Sequence, residues 1–297
     1  VSVRTPNLRR LKVASRVRGF TLVELVVAMS VSVVVVAFVA MFMARPVAGF
    51  TDQSRRAKLV DAADTALRRM SRDVRRALPN SIRTTTNGPV VALELLGSID
   101  GARYRAQPPG SADQILDFTA ADAAFNSIGP FTQVVKPFSS TSAYLSIYNV
   151  GVPGADAYEL ANVITPPGTR IDIASDTVAG EDRVTLTPGY RFAFESPTQR
   201  LYLVEGPISY LCDTGARTLR RYSGYTIAPS QAARDSAAEL MGAGATATLM
   251  ADRVAACALT YAPGTAERAG LVSMELRIAE QGEAITLLAQ AHVDNVP

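Results

Sequence analysis

The 297-residue chain carries 30 Lys/Arg against 27 Asp/Glu, a formal charge of +3, with one His, two Cys and 48% hydrophobic residues. That length holds one large domain or two small ones with ample core, whereas one His and two Cys offer no zinc-like spacing, so no metal ligand is read. The charge is uneven: residues 1–19 hold Arg4, Arg9, Arg10, Lys12, Arg16 and Arg18 and no acid, the remainder nets −3, and residues 79–297 net −7, which argues against a nucleic-acid partner.

Residues 1–19 read as a processed leader, basic and without apolar periodicity. An ordinary secretory signal places its apolar segment before the cleavage site. Here the apolar segment follows the candidate junction Gly19-Phe20, so a cut there leaves it in the mature protein. From Leu25 to Ala44 the sequence runs without a charge, long enough to cross a hydrocarbon core as one helix, and residues 20–44 are read as a transmembrane helix. The cations precede it, which puts the N-terminus in the cytoplasm and everything after Ala44 outside. Glu24 is out of place just inside this segment. The helix N-terminus favours a carboxylate, but in a bilayer it is costly unless it meets a cation at its own depth.

At this junction Gly19-Phe20-Thr21-Leu22-Val23-Glu24 resembles the type IV pilin family, matching its motif position by position. The resemblance implies a prepilin peptidase that cuts after Gly19 and methylates Phe20. It also implies a role for Glu24 in assembly, pairing with the new Phe20 amine of a neighbouring subunit. The partners it implies are that peptidase, other major and minor pilins, and the inner-membrane assembly platform. The location it implies is a single-pass inner-membrane protein with a periplasmic head, later part of a pilus at the cell surface.

Residues 45–79 read as an amphipathic continuation of the helix. Pro46 and Gly49 predict a kink or short break. From Thr51 to Leu78 the positions Leu59, Ala63, Ala66, Met70, Val74 and Ala77 recur at helical spacing as one narrow stripe, opposite a face dense in Arg and Lys. Pro79-Asn80 ends it. If nearly continuous, the helix from Phe20 to Leu78 spans roughly 90 Å at 1.5 Å per residue.

Residues 80–297 read as a β-rich head. Strands are predicted at Val90–Leu96, Ile115–Phe118, Tyr144–Val150, Tyr158–Ile164, Arg170–Ala174, Arg183–Leu186, Ile208–Cys212, Thr218–Tyr222 and Val254–Tyr261. Two hairpins are predicted, Tyr190–Glu195 with Arg200–Val204 across Ser196–Gln199, and Leu271–Ala279 with Ala284–Val293 across Gln281-Gly282. Residues 230–251 read as a short helix or loop, and 97–114 and 120–143 as long loops. No regular helices separate the strands, which favours an antiparallel sheet. The fold class is therefore α+β, and the resemblance implies the type IV pilin fold, a long N-terminal helix packed on an antiparallel head.

Cys212 and Cys257 both lie on the exported side, where an even count suggests a disulfide; two unpaired buried thiols are the alternative. The bridge would be worth about 4 kcal/mol by loop entropy. No catalytic residue or cofactor site is read: there is no Gly-x-Ser-x-Gly, no Gly-Lys-Ser/Thr, and one His, His292. Asp172 with Asp176, and Glu181 with Asp182, are candidate calcium ligands, but no regular acidic loop surrounds them. Within the pilin resemblance, Pro46–Phe50, Asp61–Asp64, Arg68–Asp73, Ala77–Ser81 and His292–Pro297 look like the minor-pilin branch of the mannose-sensitive haemagglutinin (MSHA) pilus, the MshO branch; the PilW-like and GspJ-like large minor pilins match less closely. That branch implies a minor pilin that enters or primes a pilus, at its tip. A type II secretion pseudopilin and a tip adhesin are the alternatives.

Overall fold

The computed structural model describes residues 19–108, 111–264 and 269–293; residues 1–18 of the expected leader and the stretch from Asp294 lie outside the described residues. The elements in chain order are α1 (Leu22–Arg75), β1 (Arg83–Asn87), β2 (Val90–Tyr104), β3 (Asp122–Ile128), β4 (Phe138–Ser140), β5 (Tyr144–Ser146), β6 (Arg170–Ser175), β7 (Glu181–Tyr190), β8 (Arg200–Asp213), β9 (Thr218–Ser223), α2 (Ala237–Gly242), β10 (Thr246–Asp252), β11 (Val254–Ala262), β12 (Gly270–Glu280) and β13 (Glu283–Val293). The chain divides into two compact units, residues 1–54 and 55–297. An apolar N-terminal helix followed by antiparallel sheet makes the fold α+β and pilin-like.

α1 is helical without interruption through Pro46 and Gly49, so the break expected there does not occur. A proline removes one amide donor, which does not end a helix whose turns on both sides are complete.

In the second unit, the stripe read from the sequence is the buried face of α1. Leu59, Ala63, Ala66, Met70, Val74 and Ala77 are all buried, together with Leu67. They share one core with Leu93 and Leu95 of β2, Ile208 and Tyr210 of β8, and Val272, Met274, Leu276 and Ile278 of β12. The small residues at 63 and 66 let the helix approach the sheets closely, and Leu and Met fill the remaining space. Asp73 ties the helix to the large sheet: its Oδ2 accepts from Tyr210 Oη at 2.7 Å and from Arg221 Nε at 2.7 Å. Past the helix end, Leu78 N donates to Leu96 O at 2.7 Å, and Ala77 bridges to Gly97. At Gly97 the packing is close: a Cβ would stand 2.7 Å from Glu205 Oε1 and 2.8 Å from Ile208 Cδ1, so those side-chain ends would have to shift to admit one.

The larger sheet has ten strands in the order β10-β9-β8-β2-β3-β7-β6-β4, with β1 added to β2 and β5 to β8. The smaller has three, β11-β12-β13. Every pairing is antiparallel. A disulfide between Cys212 of β8 and Cys257 of β11 joins the two sheets, with Cα atoms 6.6 Å apart. A second core, built from Tyr104, Phe125, Phe131, Ile171, Val184, Phe192 and Leu203 among others, fills the part of the unit formed by β3, β6, β7 and the far half of β2.

Several strand expectations are corrected. The Gln281-Gly282 hairpin forms, with Glu280 paired to Glu283. The hairpin across Ser196–Gln199 does not: β7 ends at Tyr190, and Arg200–Val204 joins Ile208–Cys212 in one strand, β8, which pairs with β2. The reason is Phe192, fully buried in the second core, which draws the chain out of the sheet. The 196–199 turn then docks on Tyr104, whose Oη accepts from Ser196 N at 2.9 Å while Tyr104 N donates to Gln199 O at 2.8 Å. Residues 158–164 form no strand because Leu160 and Asn162 sit at φ 55° and 58°, left-handed backbone that a strand cannot contain. Tyr148 at φ 58° likewise stops β5 short. Ile115–Phe118 is irregular, held by the burial of Leu116 and by Phe118 against Tyr104. The expected loops 97–114 and 120–143 contain the end of β2 and all of β3 and β4, and residues 230–251 contain α2 and most of β10.

Candidate functional site

The sequence-predicted site residues Gly19, Phe20 and Glu24 stand at the start of α1. Gly19 and Phe20 precede the helix, Thr21 is its cap, and the helical residues begin at Leu22. Nothing among the described residues lies within 4 Å of where a Gly19 Cβ would be, and its φ is not in the left-handed region. Glycine at 19 is therefore not explained by turn geometry or close packing, unlike Gly97. Phe20 is 83% exposed.

Glu24 has a role inside its own chain that the sequence reading missed. Glu24 N donates to Thr21 Oγ1 at 3.2 Å, and Thr21 N and Oγ1 both donate to Glu24 Oε2, at 3.2 and 3.1 Å. This is a reciprocal capping box, which satisfies amide donors that a helix start otherwise leaves open. The signal was present as Thr-x-x-Glu just before the apolar run. Both side-chain bonds fall on Oε2; Oε1 accepts none among the described residues.

Leu22–Met43 follows, 22 residues whose most apolar 18-residue window has a mean hydropathy of 2.8, and none of the 22 is buried. At 1.5 Å per residue this is roughly 33 Å of helix, enough to cross a hydrocarbon core of about 30 Å. The segment's two hydroxyls are satisfied internally: Ser30 Oγ donates to Val27 O at 2.9 Å and Ser32 Oγ to Ala28 O at 2.7 Å. Such back-bonding removes the cost of carrying serine through lipid. Valine and phenylalanine side chains all round the helix find no cover among the described residues. By length, composition and exposure the segment fits a membrane anchor.

The head shows how its other candidate residues are used. Asp172 pairs with Arg170 at 2.9 Å and Asp182 with Lys136 at 2.8 Å, while Glu181 pairs with Arg105. Asp176 accepts from Asn126 Nδ2 at 2.6 Å, a bond that holds its carboxyl below the usual range. Burial pushes Glu181 up, but hydrogen bonds from Asn126 and Arg105 outweigh it and leave it lowered. These carboxylates serve ion pairs, and among the described residues no group of three His, Cys, Asp or Glu could hold a metal ion. His292 is exposed on β13, opposite Leu271.

A carboxylate of another kind is Glu94, fully buried on β2. Arg83 reaches it at 2.7 Å and Tyr225 Oη donates to it at 3.0 Å, while Arg83 also donates to the carbonyls of Ala228 and Pro229 and lies 3.5 Å over the Tyr158 ring. Burial raises the Glu94 carboxyl, opposed by Arg83 and Tyr225. The group fastens the 224–234 connection to β1 and β2 and has no open face for chemistry.

Residues 14–40 match the family model described as the prokaryotic N-terminal methylation motif. The match covers Gly19, Phe20, the capping box and most of the apolar helix. No curated protein and no solved structure matches the chain. The chain thus carries a type IV pilin-like prepilin signal, the mark of a structural subunit that a prepilin peptidase processes and that assembles with other pilins.

Proposed function

We propose that this protein is a minor type IV pilin, made as a prepilin, cut between Gly19 and Phe20, methylated on Phe20 and then assembled into a pilus or used to prime one. The observation that carries the reading is the methylation-motif match over residues 14–40, set on a 22-residue apolar helix with no cover of its own. The helix first anchors the subunit in the inner membrane, N-terminus in the cytoplasm and head in the periplasm. It then exchanges lipid for the apolar helices of neighbouring subunits. In that packing the Glu24 carboxylate meets the Phe20 amine of a neighbour, two opposite charges removed from water together. The MSHA-type assignment rests on the softer sequence matches along α1 and at the C-terminus. The tip position rests on that branch likeness and on the size of the head.

Mass spectrometry of the mature N-terminus tests the processing step. A chain beginning at N-methyl-Phe20 is expected; an intact leader, or a cut elsewhere, overturns the reading. Glu24→Ala is expected to be cleaved normally but to enter filaments poorly, and normal piliation in that variant would remove the pairing role. Immunolabelling is expected at filament ends; label spread evenly along filaments would refute the tip position.

A further inference from the structure

We infer that the open edge of β13 is a strand-addition site for an acidic extended segment of another subunit; this rests on the assembly reading above and names a surface on the head that takes part in it.

β13 ends the three-stranded sheet, so among the described residues one of its sides carries amide and carbonyl groups without a ladder. Natural sheets protect such edges by keeping them short, bulging them, or placing Lys or Pro on them. The other edge strands are short or bulged, β1 at five residues being the longest without a register shift. β4 and β5 have three residues each, and β10 and β11 have register shifts. β13 has eleven residues in unbroken register with β12. It contains no Pro and no Lys, and no charge between Ala284 and Ala291.

A groove of about 380 Å³ runs between this edge and α1. Leu67 of the helix and Leu287 and Ala289 of β13 line it, and the two β13 residues are only partly buried although they pack against the main core. The core is thus left incompletely covered along this margin, where one more strand would close it. The helix wall of the groove is basic. Arg68, Arg72 and Arg75 repeat at four- and three-residue spacing on one face and all are exposed. Arg68 is held by Asp64 at 2.7 Å, whereas Arg72 and Arg75 have no carboxylate partner among the described residues. An edge that offers a ladder, an apolar floor and two uncompensated guanidinium groups fits one kind of occupant. That occupant is an extended segment that hydrogen-bonds along β13, puts small apolar side chains on the floor and turns Asp or Glu toward the helix.

The test uses the full chain in cells that assemble it, with photoreactive benzoylphenylalanine in place of Leu288 at the groove margin or, separately, of Val33 in the apolar helix. Expected at 288 is a cross-link to an acidic extended segment of a different subunit, identified by mass spectrometry of the joined peptides. Its yield should fall about tenfold in Arg72→Glu/Arg75→Glu, since like charges then face each other, while cross-linking from 33 is unchanged. Ala289→Lys, which places a charge on the groove floor, should have the same effect. The inference is overturned if the 288 product is insensitive to charge reversal, or if 288 joins lipid, a second copy of β13 or a segment without acids. It is also overturned if 288 gives no product while 33 does. Loss of cross-links from both positions would instead remove the assembly reading itself.

Discussion

The first and last portions of α1 obey opposite rules. From Leu22 to Met43 the helix is apolar on every side and wholly exposed; from Leu59 to Val74 it is apolar on one stripe and that stripe is buried. The later portion contributes to the stability of its own unit, and its sequence is explained by what it touches. The earlier portion contributes no burial among the described residues, and its composition fits a medium or partner outside them. Periodicity separates the two cases: a stripe implies a core in the same chain, and its absence over a charge-free run implies lipid or other helices.

That contrast can be broken by measurements on the full chain in detergent, following unfolding of the head. The largest effect is expected from Cys212→Ser/Cys257→Ser, about 4 kcal/mol for the 45-residue separation on the loop-entropy model. The bridge joins the two sheets that share a core with the buried stripe, and a loss below about 1 kcal/mol would show the sheets held without it. Met70→Ala comes next, at about 3 kcal/mol for a cavity at a fully buried position. Asp73→Asn should cost about 2 kcal/mol, since it weakens the bonds from Tyr210 and Arg221 in a half-buried site. Val33→Ala should lie within about 0.5 kcal/mol of zero, because nothing in the chain packs on it. A Val33 effect as large as that of Met70 would collapse the distinction between the two portions.

Titration of Glu94 sharpens the same point for a buried carboxylate. Its folded pKa is raised, so the folded state holds the proton more tightly than the unfolded one. The stability this supplies is present in full below the unfolded carboxylate pKa and is lost as pH rises through the folded value. The stability difference between wild type and Glu94→Gln should therefore shrink from acid toward neutral pH. A difference that grows with pH would reverse the assignment and make the Arg83 attraction dominant over burial.

The sequence was most legible where a single period or motif carries the information. The α1 stripe, the Gln281-Gly282 hairpin, the apolar span and the motif matched over residues 14–40 are of that kind. It was least legible where tertiary packing overrides local pattern. Tyr190–Glu195 has the composition of a strand, yet burying Phe192 in the second core takes it out of the sheet. Tyr158–Ile164 has it too, yet the left-handed residues at 160 and 162 belong to a turn whose shape depends on distant contacts. β3 and β4 were missed because their alanines and serines carry little β signal, and register with β7 and β6 supplies what propensity does not. At the candidate site the cap by Thr21 was readable and overlooked, because Glu24 was weighed as a charge, at the helix dipole or against a cation, and not as a hydrogen-bond acceptor.

The capping box has a consequence for the order of events in assembly. Thr21 and Glu24 both lie downstream of the proposed cut, so processing would leave the first helical turn with its donors already satisfied. The carboxylate is then engaged at home through Oε2, while Oε1 accepts no hydrogen bond among the described residues. A neighbour's amine approaching Oε1 need not open the box; one approaching Oε2 must displace Thr21. On the proposed pairing, the same side chain would close its own helix start in the solitary subunit and share its charge with a neighbour in the filament, with the Thr21 hydroxyl as the competing partner.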